Sequence, residues 1–310
     1  MNKPMNQKRY LSLSDSFKRR FGKKVFKVPL DGGFTCPNKD GFKGTGGCIY
    51  CSPSGSGDFT AGSDMDLENQ FFTIKRRMEK KWPNAYTMPY FQANTNTYAP
   101  VETLRPMFEK ALHFDDSVVG IAIATRCDAL GRDIVDLLDE INRVKPVQLE
   151  IGLQSIHETS AQFINRGHSL KCFDDAVRSL REKDIEVVVH IINGLPGETK
   201  ADMLKTVEHL NTLDIQGIKI HMLHVMENTA LAKVYKDRPF HLLTLEEYTD
   251  IVVEQIEHLK DDVVIHRLSG DAPRDTLIAP SWTLKKLVVM NEIDKRLRKK
   301  DTRQGVYFNR

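Results

Sequence analysis

Seven short apolar or β-branched runs, separated by stretches with helical periodicity, constrain this chain more than any other feature of its 310 residues. The runs read as strands at Val25 to Leu30, Tyr86 to Phe91, Val118 to Ala124, Val147 to Leu153, Glu186 to Ile192, Ile218 to Val225 and Val263 to Leu268. Between them, Phe71, Ile74 and Met78 share a helix face, and so do Ile134, Leu137, Leu138 and Ile141. The pattern returns in Phe173, Val177 and Leu180, then in Met203, Val207 and Leu210, then in Tyr248, Val252, Ile256 and Leu259. Strand–helix alternation at this rhythm implies βαβ units and a parallel sheet. Nearly every strand ends in polar or glycine-rich sequence: "QANTNTY", "TRCDAL", "LQSIH", "NGLPGE", "HVMENT" and "RLSGDAP". A barrel collects all these C-terminal strand ends at one mouth, whereas an open doubly wound sheet collects only those beside its switch point. The expected fold is therefore a barrel-type α/β domain of parallel strands with outer helices. It spans residues 1–310 as one unit, with a helical C-terminal extension at about 281–310.

No apolar run approaches the roughly 20 residues that span a bilayer, and no apolar segment follows the charges of "MNKPMNQKRY" as in a secretory leader. A cytoplasmic location with reduced thiols is expected, with no membrane partner. Five cysteines, an odd number, also argue against a disulfide framework. Net charge is only +3, yet positive charge gathers at Lys18, Arg19, Arg20, Lys23 and Lys24, in "IKRRMEKKW", and in "KRLRKKDTR". Such runs suit either a phosphate backbone or solvated helix faces.

The first strand leads into a glycine-rich loop, residues 31–52, that carries Cys36, Cys48 and Cys51. Cys48 and Cys51 can share an edge of one metal centre, and the intervening glycines let the loop bring Cys36 round. A structural zinc closes with four ligands, but the first histidine of the chain is His113. Three cysteines without a fourth suit a four-iron cluster with one iron open to a further ligand. A redox or incidental grouping of thiols is the alternative.

"CPNKDGFKGTGGCIYC" resembles the cluster loop of radical S-adenosylmethionine (radical SAM) enzymes, in the long-spaced form of the Elongator catalytic-subunit branch. Within that branch the chain is similar, along nearly its whole length, to the small bacterial YhcC/YtqA family. The likeness is carried by "FGKKVFKVPLDGGFTCPNKDG", "GSGDF", "YFQANTNTYAP", "EIGLQSIHE", "HIINGLPGET", "QGIKIHMLH" and "HRLSGDAP". The resemblance implies a partial (β/α) barrel holding a four-iron, four-sulfur (4Fe-4S) cluster on Cys36, Cys48 and Cys51. The open iron would chelate S-adenosylmethionine, whose reductive cleavage gives a 5′-deoxyadenosyl radical. An electron donor such as flavodoxin or ferredoxin would supply the reduction.

By the same resemblance, Tyr50 would pack on adenine, and Gln92 and Asn94 would hold the methionyl amino group. Asn193, Gly194 and Gly197 would form the adenine-binding turn. Glu150 and Gln154 are four apart on one strand and so face the same side. They suit ribose hydroxyls or the methionyl ammonium, although Glu150 suits a structural ion pair equally well. Arg126, Asp128, Lys219, His221 and Arg267 are candidates either for substrate contact or for internal salt bridges. Where the family usually reads "TRPDC" this chain has "TRCDA", so Cys127 and Ala129 depart from its pattern. Cys172 falls on the apolar side of a helix and reads as core.

The Elongator branch modifies wobble uridine in tRNA. Members similar to this chain, under the name MnmL, are linked to converting carboxymethylaminomethyl-uridine to aminomethyl-uridine. The resemblance therefore implies a tRNA partner, contacted by basic residues on the rim of the mouth. The alternatives are a radical enzyme acting on a small metabolite or a protein, and a non-catalytic iron–sulfur module that binds RNA or senses redox state.

Overall fold

The computed structural model describes residues 8–55, 60 and 64–308. The "GSGDF" stretch, apart from Gly55, lies outside the described residues. Seven strands form one parallel sheet: β1 (Val25–Leu30), β2 (Tyr86–Phe91), β3 (Ile121–Thr125), β4 (Val147–Gln154), β5 (Glu186–Asn193), β6 (Gly217–Met222) and β8 (Val264–Arg267). They lie in that order, and β1 and β8 do not pair with each other. The sheet is a curled half-barrel with helices on its outer face.

Two strand boundaries differ from the sequence pattern. Val118 makes only an isolated bridge to Thr87, and β3 starts at Ile121. The sixth run breaks after Met222, where Leu223 donates its N–H to the carbonyl of Asn193 at 3.0 Å. Its last residue then opens β7 (Val225–Met226), which pairs antiparallel with β9 (Leu277–Ala279).

Alternation along the strands separates two environments. On β5, Val187, Val189 and Ile191 enter the main core beneath the helices. His190 and Ile192 face a cavity inside the curl. On β1, Phe26, Val28 and Leu30 go outward while Val25, Lys27 and Pro29 go inward. The outer helices start on side-chain caps: Asp66 for Leu67–Glu79, Thr199 with Asp202 for Lys200–Leu210, and Thr244 with Glu247 for Leu245–His258. The C-terminal helix Lys286–Lys299 places Val289, Ile293 and Leu297 in the main core.

An additional helix, Leu13–Phe21, crosses the end of the half-barrel where the strands begin. Its Phe17 packs with Val25, Met88, Tyr90 and Ala122. Just before it, Ser12 bridges to Ile265 of β8, and Arg20 pairs with Glu186 at the start of β5. The helix thus covers part of that end, where Leu13, Phe17, Lys24, Met78 and Trp82 line the space inside the curl.

Candidate functional site

The cavity inside the curl has a volume of about 630 Å³, and Cys36, Cys48 and Cys51 all lie on its wall. None of the three forms a disulfide. Their loop is fixed mainly by Asn38, which is almost wholly buried. Asn38 Nδ2 donates to the carbonyl of Asn165 at 2.6 Å and approaches Cys48 Sγ at 3.8 Å. Asn165 Nδ2 in turn donates to the carbonyl of Gly47 at 2.8 Å. A Cβ on Gly167, whose φ is +78°, would lie 2.6 Å from Asn38 Oδ1, so this brace requires glycine there. Ile49 N donates to the carbonyl of Ile164 at 3.0 Å, continuing the seam.

The thiol of Cys51 brings the Cys48 thiol down to about 6, against its burial, with help from Arg126, Tyr50 and Asn38. No three histidine, cysteine or carboxylate groups among the described residues are close enough to hold a single ion. A 4Fe-4S cluster does not require that, because each cysteine takes a different iron. Three cysteines free of disulfides on one cavity wall, with no fourth ligand beside them among the described residues, fit such a cluster.

Most of the residues singled out in the sequence meet around this cavity. Tyr50, Gln92, Asn94 and Gln154 line it. Tyr50 also packs against an apolar cluster that includes Ile164, Ile192 and Leu231. Asn94, at φ +58°, accepts from Lys39 Nζ at 3.2 Å through Oδ1. Gln154 keeps the same side as Glu150 despite an irregularity in the β4–β5 pairing and its own φ of +68°. Its amide lies over Gly152, where a Cβ would sit 2.6 Å from Nε2.

Other expected residues sit differently. Asn193 continues the outward series of Val187, Val189 and Ile191, and its side chain exchanges hydrogen bonds with Gln255 at 2.8 and 2.9 Å. Asn193, Gly194 and Gly197 are not among the residues that line the cavity. Gly194 and Gly197 have φ of +87° and +89°, and a Cβ on Gly194 would press on Leu243 at 3.0 Å. Arg126 holds Asp128 through two bonds of 2.9 Å and donates to the carbonyl of Arg166 at 2.9 Å. The structure makes Arg126 and Asp128 an internal pair.

Glu150 is engaged on both oxygens. Lys27 donates to Oε1 at 2.6 Å; Tyr90 at 2.6 Å, His190 at 2.7 Å and Lys219 donate to Oε2. Its side chain is 0% exposed. Burial raises the carboxyl's pKa, but Lys219, Lys27 and His190 outweigh it and hold the group well below the usual range. Of the two roles open to Glu150 in the sequence, its hydrogen bonds match the ion pair. Lys219, His221 and Arg267 line the cavity, Arg267 paired with Asp271.

Sequence reasoning missed Lys27, Tyr90, His190, Arg166 and two further histidines, His224 and His266. For Lys27 and His190 the signal was present: each interrupts an apolar strand on its inward parity. Arg166 gave none, because its guanidinium is buried by caps on the carbonyls of Leu153 (2.9 Å) and Ser155 (2.6 Å).

The basic runs are not at the mouth. Lys24, just before β1, accepts a hydrogen bond from Tyr86 N through its carbonyl, and Lys24 and Lys81 lie over the Trp82 ring at 4.9 and 4.8 Å. Lys300 pairs with Glu257 near the start of β8. Helices in βαβ units run back against the strands, so their basic last turns fall where the strands begin. Lys75 is not available either, being paired with Glu79 and Asp115.

Comparison with known proteins gives two family matches: the Radical SAM superfamily over residues 41–210 and the Radical_SAM C-terminal domain over 215–299. An uncharacterized protein of Bacillus subtilis, YtqA, is 45% identical over 98% of this chain and 94% of its own length. The protein YhcC of Escherichia coli is 36% identical over 90% of this chain and 89% of its own. Among solved structures, an N-terminally truncated archaeal Elp3 from Methanocaldococcus infernus superposes with a TM-score of 0.67 at 18% identity. That alignment covers 90% of this chain and 64% of the other, a likeness of fold.

Proposed function

This chain belongs to the radical SAM superfamily and, within it, to the family of YtqA and YhcC; from that premise we propose that it is a tRNA-modifying radical enzyme acting on wobble uridine. The proposed reaction removes the carboxymethyl part of carboxymethylaminomethyl-uridine to leave aminomethyl-uridine. Cys36, Cys48 and Cys51 would hold the 4Fe-4S cluster. When bound, the cluster and S-adenosylmethionine supply the radical that takes hydrogen from substrate. The chain's own part is to bind, orient and exclude water. Tyr50, Gln92, Asn94 and Gln154, with the backbone of the 193–197 turn, would seat the cofactor; Lys219, His221 and Arg267 would face the substrate. The observation that carries the chemistry is the set of three free cysteines on one cavity wall, with no fourth ligand among the described residues. The tRNA substrate is supported by the Elongator-like sequence motifs and by the basic surface around Trp82.

Anaerobic reconstitution should load about four irons per chain. Alanine at Cys36, Cys48 or Cys51 should abolish S-adenosylmethionine cleavage, whereas Cys172→Ala should retain it. Stable zinc with no iron uptake would overturn the cluster. Nucleosides from tRNA of cells lacking the gene should accumulate the carboxymethylaminomethyl form; an unchanged nucleoside profile would overturn the substrate.

A further inference from the structure

The inner wall of the cavity carries more positive charge than its own carboxylate can match. Lys27 and Lys219 both point at Glu150, so two ammonium groups share one carboxylate. Both lysine side chains are about nine-tenths buried. Arg267, nearby, is matched by Asp271, which also receives the exposed Lys286. Buried charges are normally paired, because an uncompensated one is costly. Within the Lys27–Lys219–Glu150 group one positive charge is left over.

The surrounding groups can donate to an acceptor. Among the described residues Lys27 Nζ makes one hydrogen bond, to Glu150; it lies 5.3 Å from the centre of the Tyr90 ring, on a side chain of the cavity wall. Three buried imidazole nitrogens, His221 Nε2, His224 Nε2 and His266 Nδ1, have no hydrogen-bond partner. His221 lies two residues beyond Lys219 on the same side of β6, and its ring is 5.5 Å from that of His190. Burial, followed by neighbouring cations, keeps the His221 imidazole neutral, and a neutral imidazole can still donate one N–H. These histidines do not form a metal site, since no three such groups among the described residues converge on one point.

We infer that Lys27, Lys219 and His221 form a binding site for a carboxylate of the substrate, held at the inner wall of the cavity. A carboxylate monoanion balances the one charge left over between Lys27 and Lys219. The inference rests on the reading that this cavity receives the substrate. On the proposed substrate, the group held would be the carboxymethyl carboxylate, and the product aminomethyl group would lack it. Binding would then favour substrate over product.

Cluster-loaded protein should be titrated by calorimetry with carboxymethylaminomethyl-uridine and aminomethyl-uridine, and separately with acetate and inorganic phosphate. The carboxylate nucleoside should bind at least about tenfold more tightly than the aminomethyl one, with the ratio falling below about twofold in Lys27→Met and Lys219→Met. Each variant keeps Glu150 paired with the remaining lysine, and Lys27→Arg should restore part of the ratio. Acetate should bind in the millimolar range expected for so small a ligand, and phosphate more weakly. An equal ratio in wild type and variants would overturn the inference. So would a matching loss of S-adenosylmethionine affinity in both variants, which would assign the carboxylate to the cofactor. Tighter binding of phosphate than acetate would also overturn it. The acetate arm does not depend on tRNA, so failure of the tRNA reading alone would leave acetate binding in place.

Discussion

Lys219 shows how a single position can be pulled in opposite directions. Its ammonium donates to Glu150, yet burial outweighs that attraction and pushes its pKa down to about 8. The Glu150 pKa also falls, but there the charged form is the one favoured, because the carboxylate collects four donors while Lys219 has only a share of one carboxylate. The charged and titratable groups around Lys219 include Lys27, Tyr90, Glu150, His190, His221, His266 and Arg267. Between pH 8 and the unfolded value near 10.4, the unfolded chain keeps a proton that the folded chain has released. Unfolding free energy should therefore rise with pH across that window. Urea unfolding at pH 8 to 10 should show a shallower rise in Lys219→Met than in the wild type; equal slopes would mean the lysine titrates normally.

At the scale of elements, the helix Leu67–Glu79 and the segment after it carry the basic surface. Arg76, Arg77, Lys80 and Lys81 are exposed, whereas Lys75 is 13% exposed and ion-paired. The Lys24 pKa is lowered by burial and by the nearby charge of Lys81, which together outweigh the opposing charge of Asp15. Alanine at Arg76, Arg77, Lys80 and Lys81 together should weaken tRNA binding and flatten its salt dependence, by about 0.7 for each single-stranded phosphate no longer neutralised. Filter binding from 50 to 300 mM salt would measure this. Lys75→Ala should leave the salt slope alone. If Lys75→Ala lowers the slope as much as the fourfold change, the patch has been misplaced.

Across the whole molecule, the two ends of the described chain tie the half-barrel together. Gln304 accepts from Leu11 N at 2.8 Å and donates to the carbonyls of Lys260 and Val263 at 2.6 and 2.8 Å. Leu11 then accepts from Ile265 N at 2.8 Å, linking the N-terminal segment to β8. Gln304→Ala would strand buried backbone groups and should cost about 2–4 kcal/mol. A lower urea midpoint, with faster trypsin cleavage between residues 8 and 24, is the expected outcome. Unchanged cleavage would show that Phe17, the Ser12–Ile265 bridge and the Arg20–Glu186 pair hold helix Leu13–Phe21 without Gln304.

Strand–helix alternation, the cysteine loop and the inward parity of Glu150 and Gln154 were legible in the sequence, because they depend on period and spacing along one stretch of chain. The outward turn of Asn193 was legible too, by counting in twos from Val187. The tertiary structure alone decided what each inward residue meets. Glu150 takes its partners from β1, β2, β5 and β6, which only the curl of the sheet brings to one point. The placement of the basic runs was decided in the same way. A run of lysines marks a charged surface, but its position relative to the mouth depends on which end of a helix it occupies and where that helix returns. Local periodicity determined the parts. Register and curvature, which accumulate over the whole sheet, determined which charges face each other.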